Sequence, residues 1–155
     1  MISFLLAKNL KEFGYPQIGM QQDGIAYSED GKKVWWSEEN KRYEAEDGVY
    51  YKEKKVVKIP EITEVLETIV KEIKRDRDLD KFGTRAQGRL ELAFDPYDDE
   101  WEAILLLDEF YIQVEDQKDP EEAAANLFIE FSREIMKRED LPKEEIKEDK
   151  KNDKT

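Results

Sequence analysis

The predicted fold is decided by residues 89–131, which read RLELAFDPYDDEWEAILLLDEFYIQVEDQKDPEEAAANLFIEF. Apolar residues recur at every second position, at Leu90, Leu92 and Phe94 and again at Trp101, Ala103, Leu105 and Leu107, and the acidic segment 95–100 lies between the two runs. A period of two is typical of strands that bury one face. Together with a further apolar run at residues 110–114, this pattern predicts a three-stranded antiparallel meander.

A third helix is predicted to follow this meander. Asp119 is a favourable N-cap, Pro120 suits the first helical turn, and Glu122 completes a pattern like a capping box. The residues that recur at helical spacing behind this start are Ala124, Leu127, Phe128, Phe131 and Ile135. They predict one buried stripe along the helix.

The first half of the chain predicts a helix, short strands and a second helix. Helical periodicity covers residues 2–13, and Gly14 with Pro16 behind it predicts the stop. Asp-Gly turns at 23–24, 30–31 and 47–48 then separate short β-rich runs, a pattern typical of a second meander. An apolar stripe behind Pro60 predicts a helix that ends near Arg75.

These elements predict an α+β fold with two antiparallel β-meanders and three helices packed in a two-layer single domain. We expect the domain to cover residues 1–138, with halves 1–75 and 88–138 joined by a polar loop. Isolated apolar residues among many charges predict a disordered tail over residues 139–155.

The composition excludes several chemistries, because the chain has no cysteine and no histidine. Disulfides, thiolate nucleophiles, zinc–sulfur sites and Ser-His or Cys-His pairs are all ruled out. No apolar run approaches the roughly twenty residues that cross a bilayer. We therefore expect a soluble, cytoplasmic protein without membrane association, cofactor or metal, and we favour a non-enzymatic role.

The charge is concentrated in the second half. Residues 1–85 carry seventeen acidic and sixteen basic side chains, whereas residues 86–140 carry seventeen acidic and only five basic ones. A surface of one sign repels nucleic acid phosphates and attracts basic partners. We therefore expect the acidic half to bind no nucleic acid directly.

The candidate binding site is an acidic face of the second meander that engages a basic protein surface. Its predicted residues are Asp95, Asp98, Asp99, Glu100, Glu102, Glu115, Asp116, Glu121 and Glu122. The alternative is a solvated face that keeps a small protein soluble. The spacing of these carboxylates lacks the calcium-loop pattern.

An enzymatic alternative uses the same region. Asp99, Asp116 and Lys118 resemble in type the carboxylates and lysine of magnesium-dependent nucleases and phosphohydrolases, whose metal ions stabilise an in-line displacement. Such a site needs no histidine, but it would act on nucleic acid from within a strongly negative surface.

A second candidate surface is aromatic and basic. It comprises Trp35, Trp36, Tyr43, Lys41 and Arg42. This mixture is typical of a stacking platform for single strands or of a protein-binding face. The alternative is core packing with lysine stems along the surface, in which neighbouring tryptophans face opposite sides. A homodimer interface would also bury these aromatic residues, so the oligomeric state stays open.

Three motifs together are similar to small uncharacterised proteins of bacteriophages and prophages. They are LKEFGYPQ at 10–17, KIPEI at 58–62 and DPEEAAANL at 119–127. This resemblance implies a small accessory protein that acts on host machinery. It assigns no active-site residues.

Residues 101–131 also resemble the strand-strand-helix end of HicB-like antitoxins. This resemblance implies a third alternative, a regulator that copurifies with a small basic toxin. Antitoxins of this kind generally carry a separate DNA-binding element, and none is visible in the sequence.

Overall fold

The computed structural model describes residues 1–17, 25–77, 88–107 and 110–139, and it confirms the α+β class with three helices and two antiparallel sheets. The helices are α1 (Phe4–Glu12), α2 (Ile62–Arg77) and α3 (Pro120–Glu139). The strands are β1 (Ile25–Ser28), β2 (Lys33–Ser37), β3 (Arg42–Ala45), β4 (Tyr50–Tyr51), β5 (Val56–Lys58), β6 (Arg89–Asp95), β7 (Glu100–Leu107) and β8 (Phe110–Gln117). The predicted turn at 23–24, most of the polar loop and the tail from residue 140 lie outside the described residues.

The first sheet has five strands in the order β4-β3-β2-β1-β5. The sequence did not predict β5, which follows a short 3-10 turn at Glu53–Lys55 and pairs antiparallel with β1. β5 therefore forms the edge of the sheet beside β1, and β4 forms the opposite edge. Gly31 and Gly48 take φ values of +88° and +85° in the two Asp-Gly turns, a conformation that glycine adopts without strain.

The second sheet is the predicted meander β6-β7-β8. Leu105 of β7 lies opposite Leu90 of β6 and Ile112 of β8, and all three side chains face the core. A bulge interrupts the β7–β8 ladder near its end, where Asp116 has a φ of +59°.

The helix starts and stops follow local hydrogen bonds. The N–H of Glu122 donates to Asp119 Oδ1 at 2.8 Å, which confirms the predicted N-cap of α3. The N–H of Leu6 donates to Ser3 Oγ at 3.2 Å at the start of α1, and Gly14 ends that helix with a φ of +87°.

One large apolar core joins the two halves of the chain. α3 lies at its centre and contacts α1, α2 and all three strands of the second sheet. The Tyr27 hydroxyl donates to the Ile2 carbonyl oxygen at 2.9 Å and ties the first sheet to the N-terminal segment. A smaller cluster around Val34 and Tyr43 lies on the opposite face of the first sheet. None of the helices within the described ranges is long and apolar enough to cross a membrane.

Candidate functional site

A depression of about 520 Å³ lies at the end of the second sheet, where β6 turns into β7 and β8 ends. It combines acidic side chains with aromatic rings. The carboxylates are Asp95, Asp98, Glu100, Glu102, Glu115 and Asp116, and the rings are Phe94, Tyr97 and Trp101. We call this site the acidic pocket.

The β6–β7 hairpin turn and the bulge in β8 bring the carboxylates together. Asp95 lies opposite Glu100 across the β6–β7 hairpin, and the Tyr97 N–H donates to Asp95 Oδ1 at 2.8 Å within the turn. On the other side the bulge gives β8 one residue more than β7, so that Glu115 and Asp116 both face Glu102. A bulge re-aims side chains in this way because it adds twist to the strand locally.

Tyr97 and Phe94 form the accessible part of the aromatic wall, whereas Trp101 also packs against the main core. Tyr97 is 95% exposed at the tip of the turn and Phe94 is 46% exposed. The rings of Phe94 and Trp101 lie 5.2 Å apart at a tilt of 47°. Ring faces beside carboxylates favour cations, because both present negative charge to the same ligand.

No ion pair neutralises these six carboxylates within the part of the chain that the structure describes. Their observed side-chain donor is neutral: the Gln113 amide donates to Glu102 at 2.9 Å and to Glu115 at 2.7 Å. The described ion pairs of the first half join residues of that same half, as with Lys32 and Asp47 at 2.8 Å. Among the described residues, the negative charge of the pocket is therefore not neutralised by an ion pair.

The pKa of the Glu100 carboxyl is raised above its usual range by loss of hydration, and then by a hydrogen bond to Asp116 and by repulsion from neighbouring carboxylates. Those neighbours are Asp116, Asp98 and Asp95. The pocket thus holds negative charge at a cost to the folded state, as functional sites commonly do.

Replacing Glu100 with glutamine should raise the stability of the protein at neutral pH. Because the folded-state pKa of Glu100 lies above the ordinary value of 4.5, the stability of the fold falls as the pH rises from 4.5 through that raised pKa, and the loss is complete above it. As the pH falls below 4.5 the carboxyl becomes protonated in both states, so the gain should shrink toward zero. Thermal unfolding at about pH 4 and about pH 7 measures the difference.

Glu39→Gln is the matched control for this prediction, since Glu39 is exposed and lies outside the acidic pocket. It removes the same charge and should leave the unfolding midpoint nearly unchanged at either pH. An equal stabilisation by Glu100→Gln at both pH values would contradict the assignment.

Three of the nine predicted acidic residues do not line the pocket. Asp99 lies in the hairpin turn with a φ of +56°. Glu121 borders a separate, largely apolar depression beside Ile59 and Ile62. Glu122 lies in the first turn of α3. The other six are brought together as described above.

The predicted aromatic and basic surface is divided between two faces of the first sheet. Trp36 lies opposite Tyr43, and both pack in the smaller core cluster. Trp35 and Arg42 lie on the other face, where Trp35 is exposed. Lys41 lies in the turn and pairs with Glu38 at 2.6 Å. These residues do not form one continuous platform.

No group of three or more acidic side chains is placed to hold a metal ion within the described ranges. Asp99 and Asp116 do not share the pocket wall, and Lys118 is not among its lining residues. The geometry therefore gives no support to the nuclease alternative.

The sequence reasoning missed the aromatic wall formed by Phe94, Tyr97 and Trp101. A usable signal was present, because Tyr97 stands among four acids in a turn, where a large aromatic side chain has no core to pack against. The bulge at Glu115 and Asp116 had no comparable signal.

Comparison of the chain with models of known protein families, with curated proteins and with solved structures finds no match. The similarity to phage proteins and to HicB-like antitoxins therefore stays a prediction from the sequence.

Proposed function

We propose that this chain is a non-enzymatic interaction protein whose acidic pocket binds a basic segment of a partner protein. One observation carries the proposal: six carboxylates without an ion-pair partner among the described residues surround a depression walled by three aromatic rings. Folding alone gains nothing from this arrangement, since like charges at short range repel one another.

The pocket fits arginine better than lysine. A guanidinium is planar, is more weakly hydrated than an ammonium, and both stacks on rings and bonds carboxylates through two N–H groups. Tyr97 supplies an exposed ring at the tip of the turn, and Glu102 and Glu115 supply carboxylates on the neighbouring strands. Nucleic acid is disfavoured because its phosphates carry the same charge as the pocket.

The similarity to small phage proteins supports a basic surface of host machinery as the partner. Such a surface would be drawn to the pocket by long-range attraction, which raises the association rate at low salt.

The experiment compares two variants with the same change in net charge. Asp98→Lys/Glu102→Lys alters the acidic pocket, whereas Glu130→Lys/Glu134→Lys alters α3, away from the pocket. The probe is a fluorescent peptide of six arginines spaced by glycines, and its affinity is measured by anisotropy at low and at physiological salt. We expect the pocket variant to lose at least about tenfold in affinity, and the α3 variant to lose far less at physiological salt.

An equal loss in both variants would show that net charge alone attracts the peptide. Affinity that does not depend on salt, or that survives the pocket variant, would overturn the proposal.

A further inference from the structure

The outer face of the second sheet is continuous with the acidic pocket. Ala103, Leu105 and Leu107 of β7 are buried against the core, so the alternate residues of the strand point outward. The register defines three outer rows: Arg89, Leu106 and Tyr111; Glu91, Ile104 and Gln113; and Ala93 with Glu102, which the bulge residues face.

These rows change from apolar to acidic along the strands. Leu106 is 42% exposed and Tyr111 is 57% exposed at one end, and Ile104 is half-buried in the middle row. The third row contains Glu102, which faces Glu115, and both side chains line the acidic pocket. The Tyr111 hydroxyl donates to Gln113, whose amide reaches both glutamates, so one chain of hydrogen bonds links the two ends.

The charge of this face fits a basic occupant. Arg89 is the one basic residue in these three rows, and it is already paired with Glu91 at 2.9 Å. A second copy docked face to face would bring Glu102 and Glu115 against carboxylates or against Leu106 of the other copy. Burial of unpaired carboxylates is costly, so a homodimer through this face is disfavoured.

The form of the face fits a helix. The inner face of the second sheet is already covered by α3. An apolar sheet face is stably covered by a helix laid along it. The distance from Leu106 to Glu100 spans six residues of strand, roughly 20 Å. A helix of about thirteen residues covers that length.

We propose that this outer face binds a helix of the partner whose contact stripe is apolar at one end and basic at the other. The apolar end covers Leu106 and Tyr111, and the basic end reaches Glu102, Glu115 and the acidic pocket. This inference rests on the proposed function, because it extends the same site.

The test uses two fluorescent helical peptides of identical composition, built from leucine and lysine on an alanine-rich background. In the segregated peptide the contact stripe carries leucines in one half and lysines in the other, and in the mixed peptide the same residues are shuffled. Affinities are measured at physiological salt for the unaltered protein, for Leu106→Ser/Tyr111→Ser and for the control Leu5→Ser, which changes an exposed leucine of α1.

We expect the unaltered protein to bind the segregated peptide roughly tenfold more tightly than the mixed one, and Leu106→Ser/Tyr111→Ser to remove that advantage. Leu5→Ser should change neither affinity. The single variant Leu106→Ser, with unfolding followed by circular dichroism, serves if the double variant is destabilised.

Equal binding of both peptides, or an unchanged advantage in Leu106→Ser/Tyr111→Ser, would overturn the helix inference. If both peptides then still lose affinity in Asp98→Lys/Glu102→Lys, the proposed function stands. If neither these peptides nor the arginine–glycine peptide binds, the proposed function fails and the inference fails with it.

Discussion

Replacing Glu64 with glutamine is expected to lower the free energy of unfolding by roughly 3 kcal/mol, the lower end of the range for breaking a buried ion pair. Lys58 of β5 is only 5% exposed, and its ammonium pairs with the Glu64 carboxylate in the first turn of α2. Glutamine keeps the shape but removes the charge, so the buried ammonium loses its ionic contact with Glu64. Glu64 keeps 35% of its side chain in contact with water, which is why the lower end applies.

Two further variants isolate the pair. Glu67→Gln removes a charge from an exposed position of the same helix and should change stability by less than about 0.5 kcal/mol. Adding Lys58→Met to Glu64→Gln should recover much of the loss, because an apolar side chain replaces the buried charge. Chemical denaturation measures all three, and a double variant less stable than Glu64→Gln alone would contradict the account.

Replacing Phe131 with alanine is expected to cost about 3–5 kcal/mol, since it removes a large ring and leaves a cavity. Phe131 is fully buried on α3, the helix that contacts both other helices and the second sheet. For a domain of this size the loss corresponds to a fall of roughly 6–20 °C in the unfolding midpoint.

Met136→Ala is the matched control for this prediction, because Met136 lies on the same helix but is exposed. It should shift the midpoint only slightly. Below its unfolding transition, the Phe131→Ala protein should still bind the arginine–glycine peptide, because the acidic pocket contains no residue of α3. A midpoint unchanged by Phe131→Ala would contradict the assigned core.

The sequence predicts most of the elements because their signals are local. The alternation over residues 101–107 and the N-cap at Asp119 depend on neighbours within a few positions. β5 was missed because its three residues gain their strand conformation from pairing with β1, some thirty residues earlier.

The candidate site was predicted only in part for a related reason. Clustered carboxylates in 95–102 predicted an acidic region, but the bulge that turns Glu115 and Asp116 toward Glu102 is a property of the β7–β8 register. Likewise, Trp35 and Trp36 share a composition but not a face, because successive strand residues point to opposite sides. Composition locates charge along the chain, whereas register decides which charges meet.

The run ILLL at residues 104–107 carried a signal for the outer face as well. A strand with one solvated face alternates, whereas four consecutive apolar residues place apolar side chains on both faces. Leu106 is therefore exposed while Leu105 and Leu107 are buried.

The central claim is that the acidic pocket, rather than net charge or the aromatic face of the first sheet, binds a basic segment. A titration of ¹⁵N-labelled protein with the arginine–glycine peptide, followed by amide chemical shifts at physiological salt, tests it most directly. The account predicts that the largest shift changes fall on residues 94–102 and 115–116. Changes concentrated around Trp35 and Tyr50, or small changes spread evenly over all acidic residues, would contradict it.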